Sequence, residues 1–163
     1  MFDHELREAA ERVLLSCRQR GLTVSTVESC TGGLVAATLT AIAGSSDVVD
    51  RAWVTYSNEA KHQMVGVPWD TLEAHGAVSE PVARAMASGA LDRCKADLSV
   101  SVTGVAGPGG GSAEKPVGLV HFAGARRGVT VVAERHVFPG DRDAIRRVSV
   151  LTALAILASL AER

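Results

Sequence analysis

Cysteine is scarce in this chain of 163 residues, and the three that occur, Cys17, Cys30 and Cys94, are too far apart to form a C-x-x-C motif. Neither a disulfide framework nor a zinc site is therefore predicted. The five histidines show no H-x-x-x-H spacing and no neighbouring acidic cluster. We accordingly expect no metal site and no cofactor.

An excess of charge of either sign is also missing, because 17 Lys and Arg residues face 18 Asp and Glu residues. Without a basic stripe, a small-molecule partner is expected and a nucleic acid is not. The first residues lack a charged segment followed by an apolar one, and no uninterrupted apolar run is long enough to span a membrane. The sequence therefore predicts a cytoplasmic protein with one domain over residues 1–163.

Hydrophobic periodicity alternates between helical and extended patterns along the chain. It predicts helices over residues 3–20, 34–43, 58–65 and 68–75, a helix capped by Ser79 and a last helix capped by Asp141. It also predicts strands over residues 23–28, 48–56, 98–102, 117–123 and 129–137. The last two strands are joined by residues 124–128, which is typical of an antiparallel hairpin. The predicted fold class is α/β, a three-layer α/β/α sandwich with a mixed, mainly parallel sheet and one antiparallel hairpin.

The stretch from Thr23 to Gly33 ends a β-branched run in small hydroxyl residues and paired glycines. Ser29 is therefore expected at the carboxyl end of a strand, on the sheet edge where ligands bind in open α/β folds. The first N–H groups of the following helix lack intrahelical partners, so a hydroxyl there can act as a nucleophile beside anion donors. A simple helix N-cap is the alternative role.

Two further loops are predicted at the same edge. Tyr56 and Lys61 follow the second strand, so a Ser-Lys or Ser-Tyr-Lys site is an option if burial or a neighbouring cation lowers the lysine pKa from its usual value of about 10.4. A solvated helix lysine is the alternative. Residues 103–112 form a glycine-dense loop that matches neither the Walker pattern nor G-x-G-x-x-G, and Ser29 is not in G-x-S-x-G.

Six short motifs then occur in order. They are ESCTGG at residues 28–33, YSNEAK at 56–61, GAVS at 76–79, TGVAGPGGG at 103–111, KPVG at 115–118 and FPGDR at 138–142. This series resembles that of the CinA C-terminal domain family over nearly the whole chain. The resemblance implies hydrolysis of the carboxamide of nicotinamide mononucleotide to nicotinate mononucleotide and ammonia. Longer family members carry an additional pyrophosphatase-like domain, so a coupled second activity is not assumed here.

The resemblance also implies roles for individual residues. Ser29 matches the catalytic serine of the family, and Tyr56 and Lys61 match its partners. The substrate-binding residues expected from the matching loops are Cys30, Thr31, Gly32, Asn58, Thr103, Gly104, Gly107, Gly109, Gly110, Arg142 and Arg146. Cys30 has no histidine to stabilise a thiolate and is not expected to be the nucleophile, whereas Thr31 is expected to cap the following helix.

Arg142 and Arg146 lie one helical turn apart, so both can face one anion, with the larger effect on the substrate phosphate expected from Arg146. A pair of surface arginines balancing Asp141 and Asp143 is the alternative. Two other functions stay open, namely a binding module that holds a pyridine nucleotide and regulates another process, and an amidase for another small amide. The apolar last helix also leaves a homodimer open.

Overall fold

The computed structural model describes all residues from Met1 to Arg163 and contains six α-helices, one short 3₁₀ helix (Ser45–Asp47) and five strands. The helices are α1 (His4–Arg20), α2 (Leu34–Thr40), α3 (Asn58–Val65), α4 (Trp69–His75), α5 (Glu80–Asp92) and α6 (Arg142–Ala161), and the strands are β1 (Val24–Glu28), β2 (Val49–Val54), β3 (Leu98–Gly104), β4 (Leu119–Arg126) and β5 (Val129–Val137). Side-chain caps from Asp3, Ser57, Ser79 and Asp141 begin four of the helices. These residue types accept hydrogen bonds from the free N–H groups of a first helical turn.

The five strands form one sheet in the order β2-β1-β3-β4-β5. Strand β1 pairs in parallel with β2 and β3, whereas β4 runs antiparallel to both β3 and β5. Only β4 therefore runs against the other strands, and the prediction of a mainly parallel sheet with one hairpin is confirmed. The carboxyl ends of β2, β1 and β3 meet at one edge.

Helices cover both faces of this sheet. The larger apolar core lies between the sheet and α1, α2 and α6, and two smaller clusters lie under α3, α4 and α5. Along β1, Val24 belongs to the larger core and Val27 to a smaller one, because residues an odd number apart on a strand face opposite sides. Residues that follow β1 are thus directed alternately toward α2 and toward α3.

The β4–β5 turn is shorter than predicted. Gly124 was expected in a five-residue loop, but it lies inside β4, and the turn contains only Arg127 and Gly128. A Cβ atom at Gly124 would lie 2.6 Å from the side chains of both Ile156 and Leu160. This glycine therefore allows α6 to approach the sheet closely, whereas Gly128, at φ 76°, is the glycine that the turn requires.

Helix α6 is the one stretch that is long and apolar enough, by length and composition alone, to cross a membrane, with a mean hydropathy of 1.7 over its 18-residue window. No uninterrupted apolar run in α6 is that long, because Ser149, Thr152 and Ser159 interrupt it, but these small polar residues lower its mean hydropathy only a little. Half of the window is buried, and the helix packs on α1, β3 and β4. These contacts are typical of a core helix.

Candidate active site

The three loops predicted at the ligand edge line one cavity of about 320 Å³. Ten of the residues predicted for the site border it: Ser29, Cys30, Tyr56, Lys61, Thr103, Gly104, Gly107, Gly109, Gly110 and Arg142. They come from the ends of β1, β2 and β3, from the adjacent helix α3 and from the start of α6. The parallel arrangement of the first three strands explains why segments so distant in sequence share one site.

Ser29 and Lys61 form the centre of this cavity. The Nζ atom of Lys61 lies 3.0 Å from Oγ of Ser29, and the two residues are 1% and 9% exposed, respectively. Lys61 Nζ also donates to the backbone carbonyls of Thr55, at 2.7 Å, and Tyr56, at 3.3 Å. No carboxylate forms a salt bridge with this amine.

Burial lowers the pKa of Lys61 from its usual 10.5 to about 8, because a charged amine loses hydration inside the protein. The predicted depression has the predicted main cause, but the second expected cause, a nearby arginine, is wrong: the only charge effect on Lys61 comes from Cys30 and acts in the opposite direction. A measurable fraction of Lys61 is therefore neutral near pH 7 and can accept a proton.

Three oxygen atoms surround the amine of Lys61. Its Nζ atom donates to the carbonyls of Thr55 and Tyr56 and to Oγ of Ser29, which together can take the three N–H groups of a charged lysine. When the amine loses a proton, the two carbonyls can take the remaining N–H groups, and the lone pair can accept from the serine hydroxyl. The arrangement thus has the geometry of a nucleophile beside its general base.

Tyr56 lies at the rim of the cavity. Its side chain is 61% exposed, and its hydroxyl accepts a hydrogen bond from Nη2 of Arg142 at 3.3 Å. It forms no side-chain hydrogen bond with Ser29 or Lys61; the contact to Lys61 is through the Tyr56 backbone carbonyl. The part played by Thr55 could not be read from the sequence, because any residue type supplies a carbonyl.

Cys30 also borders the cavity, beside the nucleophile. Its side chain is buried, and burial raises the pKa of the thiol to about 11, with the charge of Glu28 acting in the same direction. The thiol is therefore protonated near neutral pH, and a thiolate is the form that reacts. This protonation state supports Ser29 over Cys30 as nucleophile.

The cap of α2 differs from the prediction. Thr31 was expected to cap this helix, but its Oγ1 atom is buried and has no hydrogen-bond partner. The cap comes from Glu28, whose carboxylate accepts hydrogen bonds from the N–H groups of Gly33, Val35 and Ala36 at 2.9–3.1 Å. A cap placed before the turn was not recognised in the sequence, because caps are sought at the residue adjoining the first helical turn.

Glu28 changes which N–H groups a substrate can use. The N–H of Ser29 donates to the carbonyl of Val102, and the N–H of Gly32 donates to the backbone carbonyl of Ser29. The N–H groups of Cys30 and Thr31 donate to no protein acceptor. Two free donors therefore directly follow Ser29, while the N–H groups at the start of α2 are already occupied.

The glycine loop forms the wall opposite Ser29. Thr103 ties it to the α4–α5 connection, because its Oγ1 atom donates to the carbonyl of Ala77 at 2.8 Å. A Cβ atom at Gly104 would lie 2.7 Å from the carbonyl oxygen of Leu119, so that glycine serves strand packing. Gly109, in contrast, has nothing within 4 Å of such an atom and borders open space. The part of the loop around Gly109 is thus the part open to a ligand.

Arg142 and Arg146 do not share one site, which corrects the expectation that both face one anion. Arg142 borders the Ser29 cavity and donates from Nη1 to the carbonyl of Gly107 at 2.8 Å. Arg146 borders a separate cleft near the start of α1 and donates to the carbonyls of Cys30 and Thr31 at 3.1 and 3.3 Å.

Two further predicted binding residues lie outside the cavity lining. Asn58 is the first residue of α3 and is exposed, with no side-chain hydrogen bond. Gly32 has φ 57° and lies in the turn between Ser29 and α2, where a Cβ atom would lie 3.5 Å from Arg146. Of these two, Gly32 shapes the turn that carries the nucleophile.

Known proteins resemble the chain along its whole length. The model of the CinA C-terminal domain matches residues 6–161. The nicotinamide-nucleotide amidohydrolase PncC of Escherichia coli is 54% identical over 157 residues, which are 96% of this chain and 95% of that protein. A CinA-like protein of Geobacter is 50% identical over 98% of this chain but only 38% of its own length. The crystal structure of a competence/damage inducible protein from Agrobacterium tumefaciens superposes with a TM-score of 0.96 at 52% identity, covering 98% of both chains.

Proposed function

The chain belongs to the CinA C-terminal domain family, and on that premise we propose that it hydrolyses the carboxamide of nicotinamide mononucleotide to nicotinate mononucleotide and ammonia, with Ser29 as nucleophile and Lys61 as base. The relative from Escherichia coli carries the name of this activity at 54% identity. The observation that supports the chemistry is the buried Ser29–Lys61 contact of 3.0 Å, with no carboxylate partner for the amine.

The first half of the reaction forms an acyl-enzyme. Neutral Lys61 takes the hydroxyl proton of Ser29 while Oγ bonds to the amide carbon, and the carbonyl electrons move onto oxygen. The N–H groups of Cys30 and Thr31 are the donors offered to that oxyanion. When the electrons return, the C–N bond breaks, and Lys61 gives its proton to the departing nitrogen, which leaves as ammonia.

The second half reverses these roles. A water molecule attacks the ester carbon and loses a proton to Lys61, and the oxyanion forms again at the same N–H groups. The bond to Oγ of Ser29 then breaks, and Lys61 returns the proton to Oγ. The enzyme regains its starting protonation state, and the carboxylic acid that is released loses its remaining proton to solvent and becomes the carboxylate.

The phosphate of the substrate is assigned to Arg142. Its guanidinium lies on the same cavity as Ser29, near the open part of the glycine loop around Gly109 and Gly110. A guanidinium forms charge-assisted, often bidentate hydrogen bonds with phosphate, and backbone N–H groups of a glycine loop can add further donors. The cytoplasm is the proposed location, and recycling of pyridine nucleotides the proposed role.

Ammonia release measured across a panel of amides tests this function. The wild type should release ammonia from nicotinamide mononucleotide in preference to simple amides, and Ser29→Ala should retain less than about one thousandth of its kcat, since an acyl-enzyme cannot form. Binding of the nucleotide without ammonia release would favour a regulatory binding module. Faster release from an unrelated small amide would favour an amidase of different specificity.

A further inference from the structure

The turn that carries the nucleophile, residues 29–33, is held mainly by contacts from outside itself. Its own backbone hydrogen bonds are those from Gly32 to Ser29 and from Leu34 to Thr31. Gly32 and Gly33 both have positive φ angles, of 57° and 100°, and Gly33 offers no side chain to cap α2. With seven residues, α2 is too short to be stable on its own hydrogen bonds.

Glu28 holds the carboxyl end of this turn. It is completely buried, its Oε2 atom accepts from the N–H groups of Gly33 and Val35, and its Oε1 atom accepts from that of Ala36. Thr26 donates a fourth hydrogen bond to Oε1. Burying a carboxylate is costly unless several donors compensate it, and here the first turn of α2 supplies three. The carboxylate therefore fixes α2 relative to the end of β1.

Arg146 holds the middle of the turn. Its Nε atom donates to the carbonyl of Cys30, and its Nη2 atom donates to that of Thr31. A planar guanidinium with two contacts fixes the orientation of both peptide groups, which a lysine ammonium cannot do with the same geometry. Because the carbonyl of a residue and the N–H of the next residue belong to one planar peptide, the contact to Cys30 also orients the N–H of Thr31.

We infer that Glu28 and Arg146 are positioning residues that clamp the turn at its carboxyl end and at its middle, so that Ser29 is directed at Lys61 and the N–H groups of Cys30 and Thr31 stay free for the oxyanion. Neither residue borders the Ser29 cavity. Their contacts to the turn and to α2 use backbone groups other than those two N–H groups. The inference rests on the proposed function, since it concerns the reaction at Ser29.

A displaced turn affects the chemical step more than binding. A shift of about 1 Å in a reacting group can lower a rate about a hundredfold. The phosphate contact assigned to Arg142 lies across the cavity and does not depend on this turn. Loss of the clamp should therefore lower kcat and leave KM for the mononucleotide nearly unchanged.

Steady-state kinetics of Glu28→Gln and Arg146→Lys test the clamp. Gln keeps the size of the side chain but replaces one acceptor oxygen with a donor, and Lys keeps the charge but loses the two-point contact. Each variant should lower kcat ten- to hundredfold, with KM within threefold of wild type and with the same loss for the dephosphorylated nucleoside. Arg146 is only partly buried, so its variant keeps the test available if Glu28→Gln does not fold.

Asp3→Asn is the matched control. Asp3 caps α1 by accepting from the N–H of Leu6 at 3.0 Å, and its side chain borders no part of the Ser29 cavity. This variant should lower the unfolding midpoint without changing kcat. Values of kcat within twofold of wild type in folded Glu28→Gln and Arg146→Lys, or losses confined to KM for the nucleotide, would overturn the inference. A wild type that releases no ammonia from the mononucleotide would overturn the proposed function instead.

Discussion

At the scale of single residues, Lys61 differs from an ordinary lysine because its surroundings contain carbonyl and hydroxyl groups but no carboxylate. Most buried lysines are paired with an acidic group, which would keep them charged. Burial without such a partner lowers the pKa to about 8. The reaction can then proceed near neutral pH with a base of moderate strength.

The pH dependence of kcat/KM should report this titration. In the proposed mechanism the neutral amine is the active form, so kcat/KM should rise about tenfold per pH unit below pH 8 and level off above it. Lys61→Arg retains a cation that does not lose its proton, so it should be inactive at every pH. An inflection near pH 10.5, or a flat profile, would show that Lys61 is not the base.

Arg142 should control affinity for the phosphate. Arg142→Ala should raise KM for the mononucleotide about ten- to hundredfold, which corresponds to about 1.5–3 kcal/mol for a hydrogen bond to a charged group. The dephosphorylated nucleoside should show almost no change, and comparison of the two substrates is the measurement. Equal losses for both substrates would mean that Arg142 acts mainly through its contacts to Gly107 and Tyr56.

Site residues that belong to a motif at the end of a strand could be predicted from the sequence. Contacts made to backbone groups could not. Ser29 and Lys61 were predicted together because both follow parallel strands, and they lie 3.0 Å apart. Arg146 was predicted to bind the substrate because it lies one helical turn from Arg142. That spacing does not show which of two neighbouring clefts a long side chain enters. Its partners are two carbonyls, which leave no mark in the sequence.

At the scale of the elements, α5 positions α3, the helix that carries Lys61. Gly89 lies in the last turn of α5, and a Cβ atom there would be 1.8 Å from the carbonyl oxygen of Val65, at the end of α3. Glycine inside a helix usually costs about 1 kcal/mol relative to alanine. Here it allows two helices to pack closely, and the distance from Lys61 to Ser29 depends on that packing.

Gly89→Ala should therefore destabilise the protein although alanine favours helices. The added methyl group must displace the backbone of α3, and overpacking of this kind costs about 1–3 kcal/mol. Urea unfolding should show the loss, and kcat should fall because Lys61 moves with α3. Ser88→Ala in the same helix should be neutral or slightly stabilising, and a stabilised Gly89→Ala would contradict the packing argument.

The elements themselves were largely predictable, because their patterns are local. Helix α3 and strand β5 have the predicted boundaries, Asn58–Val65 and Val129–Val137. Boundaries failed where a glycine serves long-range packing, as Gly124 does against α6. A single sequence does not distinguish such a glycine from one that a turn needs.

At the scale of the whole molecule, three buried groups link stability to pH in opposite directions. The pKa of Lys61 falls from 10.5 to about 8 on folding, so the unfolded chain binds more protons between these values and stability rises with pH. The pKa values of Cys17 and Cys30 rise from 9.0 to about 11, so stability falls between those values. The combined contribution of the three groups is therefore largest near pH 9.

Urea unfolding of wild type and Lys61→Met from pH 7 to pH 9 isolates the lysine contribution. The variant cannot titrate at this position, so wild type should gain stability relative to it by about 1 kcal/mol between pH 8 and pH 9. Cys17 is common to both proteins and cancels in the difference, and Cys30, whose charge interacts with Lys61, stays protonated in the folded protein over this range because its pKa is about 11. A constant difference across this range would mean that burial does not shift the titration of Lys61.

The physical cause of the lowered Lys61 pKa also determines how the activity should respond to ionic strength. Dissolved ions screen charges that face solvent, and they act much less on the loss of hydration of a buried amine. Since burial lowers the pKa of Lys61 without help from a neighbouring charge, added salt should leave the titration of the base in place. The proposed contact between Arg142 and the phosphate should weaken under the same conditions. High salinity would thus reduce capture of the nucleotide while the chemistry at Ser29 continues at its usual rate.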